Sequence, residues 1–270
     1  MPKRRPLPPQ PREMDIKGKA AIVTGSSSGT GIGSETAKLL AERGCNVVIN
    51  YATNKAGAED VAAICRNSGV DAVAVQADVA KDADCRRLVA AAIDRFGRLD
   101  VLVNNAAVTR PIPHHEMEKL NVDEFERIFS VNLIGNYQMT RAAAPHLKAT
   151  SDAAVVNISS IGAWRADGSS MAYSASKGAL NTLTLAMARL LAPEVRVNTV
   201  CPGGVLGNAW TTKILGSEGY EAREREAKSK YPLQRAIYPK DVAVTALFLI
   251  EGATTMTGEC LRMDCGQHLL

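Results

Sequence analysis

Seven short apolar segments, rich in valine, isoleucine and alanine, recur along the chain and alternate with longer, more polar segments. Each apolar segment is nearly continuous, whereas a strand with one face in solvent would alternate apolar and polar residues. We therefore expect strands that are covered on both faces. They are predicted at residues 20–24, 46–50, 72–79, 99–107, 153–160, 195–200 and 260–264.

The segments between these strands place apolar residues at the spacing of one helical face. The clearest examples are Ile32, Thr36, Ala37 and Leu40 in the first segment and Leu180, Leu183, Met187 and Leu190 in a later one. Strand–helix alternation over seven strands predicts an α/β fold, a doubly wound, Rossmann-type parallel sheet with helices on both faces. No repeat or linker follows residue 18, so we expect residues 16–270 to form a single domain.

Polar residues concentrate in the loops that follow the predicted strands. In a parallel α/β sheet, ligands bind beyond the carboxyl ends of the strands, near the switch in strand order. We therefore expect a ligand site at this edge of the sheet. It would be built from the loops after Thr24, Asn50, Val79, Asn105, Ser160 and Val200.

The first of these loops, "TGSSSGTGIG" (residues 24–33), contains four glycines between a strand and a helix. Glycine permits positive φ and close approach of a ligand, and a helix N-terminus attracts phosphate. The spacing is not GxGxxG, because Ser34 stands where the last glycine would fall. Tight turns between a strand and a helix use glycine anyway, so the loop alone leaves a plain turn and a phosphate cradle both open.

The formal net charge of +4 originates at the amino terminus. Residues 1–12 hold four basic and no acidic residues, which leaves 28 basic and 28 acidic residues in the remainder. A neutral body argues against a nucleic-acid groove. Residues 1–15, with five prolines, are expected to form a disordered basic leader. Docking of a partner, or weak binding of a polyanion, stays open for this leader.

No apolar run approaches the roughly 18 residues that span a bilayer, and no signal-peptide pattern is present. We therefore expect no membrane association and a cytoplasmic location.

The six cysteines show neither a CxxC pair nor zinc-ligand spacing, which favours reduced, buried thiols. His114 and His115 are adjacent and would point apart, so we expect no metal site.

Several motifs at the predicted strand ends are typical of one enzyme family. "NNAA" (104–107) resembles its NNAG motif, with alanine for glycine, and "PGG" (202–204) resembles the PG turn after its sixth strand. Asp78 and Val79 resemble the pair that meets adenine, and "DCG" (264–266) replaces the common DGG. With these motifs the chain resembles the short-chain dehydrogenases/reductases, short single-domain subclass, from residue 17 onward.

The glycine motif of that family, TGxxxGxG, is matched by Thr24, Gly25, Gly29 and Gly31. The helix that follows aligns better, however, if Gly31 and Gly33 are the last two glycines. The loop would then be two residues longer than usual, so the sequence leaves two alignments.

The active-site motif of the family, YxxxK, occurs twice, at Tyr51/Lys55 and at Tyr173/Lys177. Tyr51 closes the second predicted strand. Tyr173 begins a long helix with an apolar stripe, thirteen residues after Ser160, and that spacing matches the family. Context therefore favours Tyr173 and Lys177.

The resemblance also implies roles for these residues. Tyr173 would be the acid–base residue, and Ser160, favoured by its spacing over Ser159, would hydrogen-bond the substrate carbonyl oxygen. Asn132 in "SVNLIG" would hold a water that relays protons, and Lys177 would bind the nicotinamide ribose.

The spacing of Tyr173 and Lys177 also has a physical meaning. A free tyrosine has a pKa of about 10, roughly 4 kcal/mol from ionising at neutral pH. Lys177 stands at i+4, on the same helical face. A cation about 4 Å away contributes about 4 kcal/mol at an effective dielectric constant near 20, but only about 1 kcal/mol in water. We therefore expect Lys177 to lower the pKa of Tyr173 in a partly dehydrated site.

The resemblance implies a nicotinamide dinucleotide cofactor. An acidic residue at the end of the second strand would bind the ribose diol and repel a 2′-phosphate. Tyr51 stands there instead, so we expect NADP(H) rather than NAD(H). The predicted cofactor-binding residues are Gly25, Ser27, Ser28, Gly31, Ile32, Asn50, Tyr51, Thr53, Asp78, Val79, Asn105, Ala106, Tyr173, Lys177, Pro202, Gly203 and Val205.

The resemblance further implies hydride transfer between NADP(H) and a ketone or secondary alcohol, in a homotetramer. The substrate pocket is expected between residues 108–110, 161–165 and 205–231. Trp164 and Trp210 would stack on a flat or apolar substrate. Arg110 and Arg165 are candidates for attracting an anion, but plain surface arginines are the favoured interpretation. A nucleotide-bound scaffold or redox sensor without catalysis is the alternative.

Overall fold

The computed structural model describes residues 13–150 and 152–270. Within them, seven strands form one parallel sheet, each strand falling inside a predicted segment or within two residues of one. The strands are β1 (Ala20–Val23), β2 (Asn46–Tyr51), β3 (Ala72–Gln76), β4 (Val101–Asn104), β5 (Ala153–Ile158), β6 (Val195–Pro202) and β7 (Cys260–Met263). Their order across the sheet is β3-β2-β1-β4-β5-β6-β7.

Nine α-helices occur in the described residues. They are α1 (Ile32–Glu42), α2 (Lys55–Arg66), α3 (Asp82–Phe96), α4 (Val122–Phe129), α5 (Asn136–Lys148), α6 (Gly162–Arg165), α7 (Met171–Leu191), α8 (Ala209–Lys230) and α9 (Pro239–Glu251). A π-helical segment, Ser130–Gly135, joins α4 to α5.

Alternate strand residues face two separate apolar layers. Ala21 and Val23 of β1 belong to the layer that includes residues of α1, α2 and α9, whereas Ile22 belongs to the layer that includes residues of α3, α5 and α7. Helices therefore cover both faces of the sheet, which explains the continuous apolarity of the strands. The predicted doubly wound α/β fold is confirmed.

The packed chain begins earlier than the sequence indicated. Met14, which we assigned to the leader, is buried in the layer of α1 and α9, and its backbone N–H donates to Glu251 O at 2.8 Å. Residues 1–12, the main part of the predicted leader, lie outside the described residues. In the described part of the chain, no helix is both long and apolar enough to cross a membrane.

Candidate active site

A cleft of about 410 Å³ opens at the carboxyl edge of the sheet. The strand order reverses between β1 and β4, so the loops after these two strands diverge and leave a crevice. The glycine loop lines this cleft, and so do Tyr173 and Lys177. The predicted cofactor edge and the predicted catalytic pair therefore share one cavity.

The structure decides between the two alignments of the glycine loop. Helix α1 begins at Ile32 with Gly31 as its N-cap. A Cβ on Gly33 would lie 2.5 Å from Asn105 Nδ2 and 2.8 Å from Gly25 O, whereas a Cβ on Gly29 would meet nothing within 4 Å. Gly33 is thus the glycine that close packing requires, and the loop has the longer form.

This loop also fits the phosphates of a dinucleotide. Gly25 has φ +61°, and a Cβ there would lie 2.8 Å from Ala106 Cα, so only a bare backbone fits. The hydroxyl residues Ser27 and Ser28 line the cleft beside the start of α1. Free N–H groups and hydroxyls at a helix N-terminus are suited to a pyrophosphate.

Buried polar side chains hold the two loops of the crevice together. Thr24 Oγ1 accepts hydrogen bonds from the backbone N–H groups of Asn105 and Ala106 at 2.9 and 3.0 Å. Asn50 Oδ1 accepts from Gly25 N at 3.0 Å, while its Nδ2 donates to Ala77 O at 3.0 Å. Asn50 lines the cleft as predicted, but both ends of its amide already hold the backbone.

The catalytic candidates Ser160, Tyr173 and Lys177 all line the cleft. Lys177 Nζ lies 5.6 Å from the centroid of the Tyr173 ring, so the two side chains lie on the same side of α7. Lys177 is 2% exposed, and its Nζ donates to Ile158 O at 2.7 Å. Ser160 Oγ accepts from Gly162 N at 3.0 Å.

Burial dominates the proton equilibria of this pair. It raises the pKa of Tyr173 to about 12, although the Ser160 hydroxyl opposes the shift, and it lowers the pKa of Lys177 to about 8. Lys177 is not among the groups that shift the pKa of Tyr173 in the protein by itself, and the expected effect of Lys177 with cofactor and substrate bound stays a prediction. Removing water disfavours both charged forms.

The comparisons with known proteins agree with this geometry. A family model described as enoyl-(acyl carrier protein) reductase matches residues 25–268. One relative is the protein described as ketoacyl reductase 2 of the granaticin polyketide synthase of Streptomyces violaceoruber. The two chains are 42% identical over 250 residues, which cover 93% of this chain and 96% of the relative. The chain belongs to the short-chain dehydrogenases/reductases.

Two solved structures of this family resemble the whole domain. One is described as a short-chain dehydrogenase/reductase from Burkholderia xenovorans. It is 40% identical to this chain and superposes with a TM-score of 0.85, and the match covers 93% of this chain and 98% of that one. The other is 3-ketoacyl-(acyl-carrier-protein) reductase from Brucella melitensis complexed with NADH, with 34% identity and a TM-score of 0.81 over 93% and 99% of the two chains. This short-chain dehydrogenase/reductase is therefore an oxidoreductase that resembles ketoacyl reductases.

The structure brings all but one of the predicted cofactor residues of this short-chain dehydrogenase/reductase to the cleft. Tyr51 is the exception, because its ring is buried in the same apolar layer as Ala58 and Val61 of α2. We assigned Tyr51 because it closes β2. The cleft is lined instead by the next residue, Ala52, together with Thr53.

Asn132 also departs from its predicted role. Its side chain is fully buried and does not line the cleft. Oδ1 accepts from Val108 N at 2.8 Å, while Nδ2 donates to Val108 O and to Ser176 Oγ at 3.0 and 3.1 Å. Asn136 donates to the Asn132 carbonyl at 2.8 Å. The asparagine braces the loop after β4 against α7, and its side chain is not placed to hold a water in the cleft.

A second cleft of about 420 Å³ shares Ser160 and Tyr173 with the first and is the candidate substrate-side cleft of this short-chain dehydrogenase/reductase. Trp210 lines it as predicted, with its ring 6.3 Å from that of Tyr173. Trp164 does not line it and packs against Arg262. His114 is also part of the wall.

The predicted anion-attracting arginines are both engaged elsewhere. Arg110 pairs with Glu124 at 3.7 Å. Arg165 pairs with Asp167 at 2.7 Å and donates to Gln267 O at 2.6 Å. The arginine that does line the substrate-side cleft is Arg223, on α8. The described residues contain no group of three or more His, Cys, Asp or Glu that could hold a metal ion.

Proposed function

We propose that this protein reduces a ketone to a secondary alcohol with NADPH. The observation that carries the proposal is the position of Ser160 and Tyr173 where the two clefts meet, with Lys177 beside them in the cleft of the glycine loop. A bound nicotinamide would supply the hydride. The residues of the glycine loop, with Asp78 and Val79, would hold the dinucleotide.

The chain's own residues then provide the proton. Ser160 donates a hydrogen bond to the carbonyl oxygen and stabilises its developing charge. Tyr173, with a pKa raised to about 12, is protonated at neutral pH and is ready to donate to the alkoxide. The opposite reaction would need an ionised tyrosine, at a cost of roughly 7 kcal/mol at neutral pH. The same tyrosinate forms when Tyr173 donates its proton, so this pKa does not set the direction, and the proposal of reduction rests on the resemblance to ketoacyl reductases.

The test is NADPH oxidation across a panel of ketones, with an enoyl thioester as the alternative substrate. We expect Tyr173→Phe to lower kcat about 10²- to 10⁴-fold, the usual contribution of a general acid. Tyr51→Phe is the matched control, because Tyr51 belongs to the second YxxxK sequence but lies in the core. Full activity of Tyr173→Phe, or a preference for the enoyl thioester, would contradict the proposal.

The preference for NADPH rests on the end of β2. Ala52 and Thr53 line the cleft there, and Lys55 begins α2 as an exposed residue. The nearest acidic residue further along the chain is Glu59, one turn into that helix. An uncharged edge beside a cation suits a 2′-phosphate.

Thr53→Asp tests this preference, because a carboxylate there would repel the phosphate and accept from a ribose diol. We expect the ratio of kcat/KM for NADPH to that for NADH to fall by about 10- to 100-fold, or about 1.4–2.8 kcal/mol. Thr53→Asn controls for side-chain size. A wild-type preference for NADH would overturn the proposal before any variant is made.

We also propose a homotetramer. Apolar side chains remain exposed on two helices, Tyr137 on α5 and Val244 and Phe248 on α9, and Ile134 is exposed just before α5. Strand β7 lies at an open edge of the sheet. Sedimentation equilibrium tests the assembly.

A cytoplasmic location is supported by six free cysteines, four of them buried.

A further inference from the structure

The substrate-side cleft carries a polar cluster that the catalytic residues do not use. It consists of Arg223 and Tyr231, in and after α8, and Gln267 near the carboxyl terminus. A Cβ built on Gly204 would lie 3.7 Å from Tyr231 Oη, 3.8 Å from Arg223 Cδ and 3.9 Å from Gln267 Oε1. Three side chains therefore converge beside Gly204. Arg223, Gln267 and Gly204 line the cleft, whereas Tyr231 is buried next to them and is not one of the lining residues.

Two of these side chains have hydrogen-bond donors to spare. Tyr231 is 2% exposed, and among residues 13–150 and 152–270 its hydroxyl makes no hydrogen bond of good geometry, although Arg223 is close enough to interact with its oxygen. Leaving such a group unpaired in a buried position is unfavourable. Gln267 Oε1 accepts from Gly204 N at 3.1 Å, and this bond fixes the carboxamide against the cleft wall. Its Nε2 group remains as a donor.

Arg223 supplies the positive charge of the cluster. Its Nη1 contacts Glu226 at 3.2 Å, and both side chains are more than one third exposed. An exposed pair of this kind is weak, and the guanidinium has further N–H donors beyond this contact. The Arg223 charge also reaches Tyr231, where it opposes the burial that raises the pKa of that phenol.

The remaining wall of this cleft is mainly apolar. Its polar members include His114, Ser169 and Asp167, and the Asp167 carboxylate is paired with Arg165 at 2.7 Å. Ile112, Leu206, Ile214 and Leu215 line it together with Trp210. The cleft therefore suits a ligand with three parts, because it offers an apolar wall, a cationic cluster of hydrogen-bond donors and the Ser160–Tyr173 pair. These are a carbonyl, an apolar body and a group that only accepts hydrogen bonds.

We propose that Arg223, with Tyr231 and Gln267, binds a carboxylate carried by the ketone substrate, so that the enzyme prefers free keto acids to neutral ketones. A carboxylate accepts two parallel N–H bonds from a guanidinium and has lone pairs left for the tyrosine hydroxyl and the amide. This inference rests on the proposed ketone reduction and adds the substrate class.

The experiment compares the keto acid levulinate and its next two homologues, each with its own primary amide, as substrates with NADPH. We expect wild-type KM to be lower for at least one acid than for its amide. Arg223→Met should raise KM for that acid roughly 10- to 100-fold, with kcat and the KM of the amide little changed. Tyr231→Phe, which removes only the hydroxyl, should raise it less.

Arg225→Met is the matched control, because Arg225 lies on the same helix, carries the same charge and pairs with Glu221 in solvent. It should leave KM for the acid unchanged. Equal effects of Arg223→Met on acid and amide, or no effect of either Arg223→Met or Tyr231→Phe, would overturn the inference while ketone reduction stands.

If the wild type reduces none of these ketones, the proposed function itself is at risk. Calorimetric titration of levulinate and its two homologues into the wild type and Arg223→Met then decides the carboxylate site alone. Weaker binding of an acid to the variant supports the site, and equal or undetectable binding to both proteins contradicts it.

Discussion

The two sides of the active-site cleft are built in different ways. On the cofactor side, the backbone at Gly25 and Gly33 packs closely against the neighbouring loops, with no space for a Cβ. The buried side chains of Thr24 and Asn50 accept hydrogen bonds from the backbone of these loops. On the substrate side, α8 spans 22 residues, and Ala227 is the one buried residue among those described in this helix. One side is a close-packed extension of the sheet, and the other is a helix held by few buried contacts.

The difference follows from what each side has to recognise. A dinucleotide presents the same phosphates in every turnover, so a rigid backbone with glycines at fixed places serves it. A substrate pocket requires only a shape and a few polar groups. Side chains such as those of Trp210 and Arg223, on a helix that contributes little to the core, can supply them. Stability should therefore depend on the cofactor side and selectivity on the substrate side.

Gly33→Ala should have the largest effect on the cofactor side. The added Cβ would lie 2.5 Å from Asn105 Nδ2 and 2.8 Å from Gly25 O, and neither group can move without shifting the crevice. Overpacking of this kind typically costs about 1–3 kcal/mol. We expect a lower free energy of unfolding in urea, and NADPH affinity reduced by at least about 10-fold, equivalent to about 1.4 kcal/mol.

Gly29→Ala is the control for this variant. It lies in the same loop, but its Cβ would meet nothing within 4 Å. We expect stability and NADPH affinity near those of the wild type. If Gly29→Ala weakened binding as much as Gly33→Ala, the shorter alignment of the loop would be the correct one.

The same contrast explains what the sequence could predict. All seven strands and the cleft were predicted, because burial on both faces and strand-end chemistry leave patterns in residue type. Ser160, Tyr173 and Lys177 were assigned through the resemblance to the family, and the structure brings them to that cleft. Tyr51 was assigned wrongly because a strand terminus gives no indication of which of two neighbouring side chains turns toward the core. The neighbouring Ala52 carries no functional group, so nothing in its residue type indicates that it lines the cleft.

Other residues could not be predicted because their roles depend on long-range contacts. Asn132 is bound to Val108 and Ser176, which lie 24 and 44 residues away in sequence. Arg223 is one of several charged residues of a polar helix, and only the fold shows that it lines the cleft. Surface arginines at 110 and 165 were equally plausible until their ion pairs with Glu124 and Asp167 were known.

Lys177 lies where the two sides meet, and its burial makes stability depend on pH. Burial lowers its pKa from 10.5 to about 8. Below pH 8 the lysine is charged in both the folded and unfolded chain, and the folded state carries the whole cost of the buried cation, roughly 3 kcal/mol. Between about pH 8 and 10.5 the folded protein loses this proton first, so wild-type stability rises relative to a variant without the amine.

Lys177→Met tests that sign by urea unfolding at pH 7 and pH 10. We expect the variant to gain up to about 3 kcal/mol over the wild type at pH 7, reduced by the lost hydrogen bond to Ile158 O, and the difference to shrink at pH 10. Lys55→Met, at the exposed lysine of the other YxxxK sequence, should show no such pH dependence. A difference for Lys177→Met that does not change with pH would mean that this lysine is effectively solvated.

Gly216→Ala tests the substrate side and should have the smallest effect on stability. Gly216 interrupts α8 with φ +66° and ψ 177°, a conformation that essentially only glycine adopts. An alanine Cβ would meet nothing within 4 Å, so the roughly 1–3 kcal/mol of strain is purely a backbone term. Because α8 buries little, the helix can shift locally and relieve the strain without unfolding the sheet.

We therefore expect Gly216→Ala to leave the urea midpoint and NADPH affinity nearly unchanged while it alters KM for ketones, since Trp210 and Arg223 lie on opposite sides of the break. Gly219→Ala is the control in the same helix, where the helical backbone accepts alanine and only Leu215 Cβ, at 3.2 Å, has to move. A loss of stability in Gly216→Ala as large as that of Gly33→Ala would show that α8 unfolds together with the sheet. The contrast between a rigid cofactor side and a loosely held substrate side would then be lost.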